Sequence, residues 1–106
     1  MQELKRLILY RNNISHIEVL KNAKFQKLEF INLSSNKISN INILSNVNFK
    51  ELKKLNFYSN KISDIKVLEK VKFEKLAKLD LRWNKIQKTK FFSIIKNLQN
   101  SINFII

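Results

Sequence analysis

One interval governs this chain: Leu4, Leu28, Leu52 and Leu76 stand 24 residues apart. The same interval returns Leu7, Ile31, Leu55 and Leu79, then Leu9, Leu33, Phe57 and Leu81. Asparagine follows at Asn12, Asn36, Asn60 and Asn84, and isoleucine at Ile14, Ile38, Ile62 and Ile86. Three further columns hold in the first three units: Ile17/Ile41/Ile65, Leu20/Leu44/Leu68 and Phe25/Phe49/Phe73. A unit this small cannot bury its apolar face alone. Copies must stack and share a core, and about three or more are needed. The expected organisation is a single domain over residues 1–106, with repeats at about 4–27, 28–51, 52–75 and 76–98 and a terminal helix and tail at 91–106.

Within each unit the L-x-L segment alternates apolar and variable residues, the period of a half-buried strand. Leu7 and Leu9 then point to one face, and Arg6, Ile8 and Tyr10 to the other. Strands one unit apart stack in parallel, about 4.8 Å between neighbours. Beyond the strand the chain bends inward, and its buried backbone groups lack ladder partners. A carboxamide both donates and accepts, so Asn12, Asn36, Asn60 and Asn84 form a candidate structural ladder. Asn42 and Asn56 stand in variable columns and are expected in solvent. The return segment, with apolar residues at spacings of three and five, reads as one or two helical turns.

The frame L-x-x-L-x-L-x-x-N-x-I, carried by these residues four times from about 4 to 90, resembles the leucine-rich repeat family. The I-x-x-I spacing of Ile14 and Ile17 is similar to its short-repeat subclass, although each unit here is two residues longer. The resemblance implies an α/β repeat solenoid, a horseshoe segment with a parallel concave sheet and short convex helices. It also implies a protein partner, bound on the concave side.

Chemistry is scarce. The chain has no cysteine, no glycine and one histidine. Without cysteine there is no disulfide framework or thiolate metal site, and without glycine no phosphate-binding loop. His16 lies in a turn where other units place Asn40 and Asp64, a variable and solvated column. The eight carboxylates do not recur as a paired-acid set. No enzymatic activity, cofactor or metal is expected. The first ten residues lack a signal-peptide pattern and no apolar stretch reaches membrane length, so an intracellular, cytoplasmic setting without a membrane span is expected.

The outward strand columns are richer: Arg6/Phe30/Lys54/Lys78, Ile8/Asn32/Asn56/Asp80, Tyr10/Ser34/Tyr58/Arg82 and Arg11/Ser35/Ser59/Trp83. All three arginines, both tyrosines and the single tryptophan fall here. These residue types dominate binding hot spots. Arg6, Ile8, Tyr10, Arg11, Phe30, Tyr58, Arg82 and Trp83 are therefore the candidate partner-binding set. Chance clustering, or Trp83 filling a packing gap, is the plainer account. A net charge of +13 also suits nucleic acid or an anionic surface, the alternative function, but the lysines are spread over every repeat.

The ends break the pattern. The first strand begins near Met1 with nothing before it, which predicts an uncapped edge and self-association through it. After Ile86 the frame is lost. Phe91, Phe92, Ile94, Ile95 and Leu98 follow helical spacing, and residues 102–106 suggest a partial fifth strand. Either the apolar ending Phe104-Ile105-Ile106 pairs with the sheet, or the chain is a piece of a longer array.

Overall fold

The computed structural model describes residues 4–71, 73–96 and 102–106. Five strands, β1 (Arg6–Ile8), β2 (Phe30–Asn32), β3 (Lys54–Asn56), β4 (Lys78–Asp80) and β5 (Asn103–Ile105), form one parallel sheet in sequence order. The register reproduces the sequence interval: Leu7 pairs with Ile31, Ile31 with Leu55 and Leu55 with Leu79. The last step, Leu79 to Phe104, is one residue longer. Phe104 and Ile106 thus take the places of Leu79 and Leu81, and the chain's apolar ending is a fifth strand on the sheet edge.

Return arcs complete each turn. Those of the first three units are 3-10 turns, Glu18–Lys21, Ala23–Phe25, Asn42–Asn46 and Lys66–Glu69. The fourth is α1 (Lys88–Ile95), which begins three residues before the apolar run that announced it, because Lys88, Thr89 and Lys90 supply its first turn. Its expected end at Leu98 lies outside the described residues. Asn40 and Asp64 open their arcs: the side-chain oxygen of each accepts the N–H two residues on, at 2.8 and 3.0 Å. His16, in the same column, is exposed.

The leucine and isoleucine columns fill the space between sheet and arcs. Leu28, Leu52 and Leu76, Ile31, Leu55 and Leu79, and Ile41 and Ile65 are all buried. First-unit members have only one neighbour, so Leu7, Leu9 and Ile14 are half-buried and Leu4 is exposed. At the other end Phe91 of α1 is buried edge-on against Phe104 of β5, with ring centroids 5.9 Å apart. Phe92 faces solvent. Among the described residues, no helix is long and apolar enough to cross a membrane.

The asparagine turns sit where each strand gives way to its arc. The Oδ1 of Asn36 accepts the N–H groups of Asn12 and Ile14, both at 2.9 Å. Its Nδ2 donates to the carbonyls of Leu9, Leu33 and Ser34. Asn60 and Asn84 repeat the arrangement one and two units later, accepting from Ile38 and Ile62 and donating back to Leu33 and Phe57. Asn12 differs: it is exposed, and its Nδ2 donates to the carbonyl of Tyr10 within its own unit.

A second periodic feature lies at the strand-start rim. Glu29 accepts from Lys5 and Lys53, at 3.2 and 3.4 Å, and Glu51 from Lys75 at 2.8 Å. These partners stand one interval apart, so charges of opposite sign alternate from unit to unit. The lysines hold both carboxyl groups below their ordinary range, and Glu51 in turn raises Lys75.

Candidate functional site

The concave face is built by the outward residues of the five strands and the turns that follow them. Its first column is Arg6, Phe30, Lys54, Lys78 and Asn103. The Arg6 guanidinium lies over the Phe30 ring, 4.7 Å from its centroid. Lys54 and Lys78 are exposed and directly opposite one another.

The second column departs from the sequence reading. Asn56 is not free in solvent; its Oδ1 accepts the N–H of Tyr58 at 2.8 Å. Asn32 does the same for Ser34, and Asp80 for Arg82. An Asx side chain that bonds backbone two residues on fixes the local turn. These residues hold the end of each strand rather than presenting polar tips to a partner. The signal was present as an Asx column in the last three units, with Ile8 the member that cannot make the bond. Ile8 is instead 49% exposed.

Asp80 carries a second duty. It is 4% exposed, and its two carboxylate oxygens accept from Arg82 Nε at 3.0 Å and Nη2 at 2.7 Å. Burial alone would raise this carboxyl; the Arg82 guanidinium and backbone N–H outweigh it and hold the group below its usual value. The pair in turn raises Arg82 and fixes its guanidinium 5.2 Å from the centroid of Tyr58. Planar, doubly anchored and half-exposed, Arg82 keeps donors directed away from Asp80.

The third and fourth columns form the strand-end rim. Tyr10 is 52% exposed, and Trp83 76%, so Trp83 does not fill a packing gap. Arg11, Ser35, Ser59 and Trp83 all have left-handed backbone, with φ between 56° and 59°. Glycine is the ordinary occupant of such a conformation, which costs other residues about 1–2 kcal/mol. A bulky side chain placed there, and left in water, gains nothing from packing. Beside it Leu81, Arg82, Asn84, Ile86, Lys88 and Ile106 line a shallow cleft of about 410 Å³. A larger groove of about 680 Å³ lies on the convex side, between the Lys66–Glu69 turn and α1. It marks the mismatch between a 3-10 arc and an α-helical one, and its lining contains no aromatic residue.

Five parallel strands in unbroken order, one interval, and asparagine turns between strand and arc define the architecture. Superposition finds a solved structure of similar fold: a crystal structure of internalin C2 from Listeria monocytogenes matches 97% of this chain with a TM-score of 0.66 and 28% sequence identity. The chain has the leucine-rich repeat fold. It spans 40% of the length of that structure. No family model and no curated protein matches its sequence. Among the described residues of this leucine-rich repeat solenoid, no three His, Cys, Asp or Glu side chains gather as a metal site would require.

Proposed function

We propose that this leucine-rich repeat segment binds a protein partner through its concave face and has no catalytic role. The observation that carries the proposal is Trp83: the chain's single tryptophan is exposed on left-handed backbone beside an anchored arginine. An aromatic side chain of this size left in water adds nothing to the core, and tryptophan is among the residue types that dominate binding hot spots. Arg6, Ile8, Tyr10, Arg11, Phe30 and Tyr58 belong to the same columns of outward residues.

Size limits the affinity. Five strands at about 4.8 Å, each counted with its flanking turns as about six residues at roughly 3.3 Å, give a face of about 480 Å². A standard interface takes about 800 Å² from each partner. Binding confined to the concave face is therefore weak, and tighter binding requires the loops. The test is capture from the source cells with wild type, Tyr10→Ala and Trp83→Ala, using Lys24→Ala as a convex control. A partner lost with Tyr10→Ala and Trp83→Ala and kept with Lys24→Ala supports the reading; one retained equally by all three variants overturns it.

A further inference from the structure

Charge is distributed unequally between the solenoid's surfaces. At the strand-start rim, where lysines meet across neighbouring units, Glu29 and Glu51 separate them. One residue further along, on the concave face, Lys54 and Lys78 make no salt bridge among the described residues, and Lys78 feels the nearby charge of Asp80. Lys54 and Lys78 are directly opposite on adjacent strands, with Arg6 two strands from Lys54 in the same column. Like charges so placed repel. Arg11 and Arg82 add to them, and Asp80, the one carboxylate on the face among the described residues, is buried and already engaged by Arg82. The same sequence thus pairs its rim lysines with carboxylates and leaves Lys54 and Lys78 without a salt bridge among the described residues.

Resting on the concave-face reading, we infer that the partner presents an extended acidic segment, laid across the strands over Arg6, Lys54 and Lys78, with an apolar or aromatic residue toward Trp83. From β1 to β4 the cationic column runs about 15 Å. An extended peptide covers that length in about five residues, of which alternate ones face the sheet. Two or three carboxylates therefore match the row. Single-stranded nucleic acid fits less well. Its bases need aromatic platforms in succession, but Tyr10 and Trp83 are three strands apart and Tyr58 is already covered by Arg82.

The experiment titrates the 106-residue chain with a fluorescent peptide of repeated Glu-Asp-Tyr, a matched Gln-Asn-Tyr peptide and oligo(dT), while amide shifts map the contact. The acidic peptide should move the amides of Lys54, Asn56 and Lys78. The double variant Lys54→Glu/Lys78→Glu should weaken it about tenfold or more, whereas Lys24→Glu/Lys50→Glu, with the same change in net charge, should not. Lys54→Gln/Lys78→Gln serves should the reversed pair fail to fold. Equal weakening by both reversals, no binding of the acidic peptide, or tighter binding of oligo(dT) overturns the inference. A neutral peptide bound as tightly on the concave face also overturns it, yet leaves the concave-face reading standing. Shifts confined to the convex arcs overturn both.

Discussion

At Asn36 a single carboxamide joins two units, accepting from Asn12 and Ile14 and donating to Leu9, Leu33 and Ser34. Alanine there leaves backbone groups of both units without partners, at an expected cost of roughly 1–3 kcal/mol. Asn12→Ala and Asn42→Ala should stay within about 0.5 kcal/mol, as exposed substitutions usually do. Urea midpoints decide it, and similar losses for all three would refute the bridging role. Asp80 gives a pH-dependent case. Its folded carboxyl lies below the ordinary range, so its stabilisation is complete above the unfolded value of about 3.9 and is lost as pH falls through the folded one. Asp80→Asn keeps the turn acceptor found at Asn32 and Asn56 but loses the ion pair. Wild type should therefore be the more stable at neutral pH, by an amount that shrinks below about pH 4. A gap that widened in acid would contradict this.

Among the elements, the strands were legible and the arcs less so. Alternation and interval place β1 to β4 because a sheet face demands an apolar residue at every second position. The 3-10 arcs carry no such period; their ends are set by side chains such as Asn40 and Asp64, whose role depends on a local hydrogen bond. For the same reason Asn56 looked like surface although it holds a turn. The exposed aromatics and arginines of the concave face could be placed by column, but the pairing of Arg82 with Asp80 and Tyr58 could not, since it depends on side-chain direction. The start of α1 was displaced because its first turn is made of Lys88, Thr89 and Lys90, with neither acid nor cap to mark it. The helix depends on packing instead. Phe91→Ala should cost about 3–5 kcal/mol and strip β5 of its Phe104 contact, so the amides of Asn103 to Ile105 should lose exchange protection before those of β2 and β3. Equal protection in all strands would show that α1 does not secure the sheet edge.

For the whole molecule, the sheet is the constant and the arcs are the variable. A 3-10 return and an α-helical return both deliver the next strand in register, although the second takes one residue more. Cores built this way accept any whole number of units. The rim charges do not. Lys5, Glu29 and Lys53 change sign at each step, as do Lys27, Glu51 and Lys75. Their period is two units, twice that of the leucines. Excising residues 28–51 would leave every leucine and asparagine facing its counterpart, yet would set Lys5 beside Lys53 and Lys27 beside Lys75. The second unit is therefore fixed by its neighbours' charge rather than by their cores: losing it alone brings like charges together, whereas losing residues 52–75 would not.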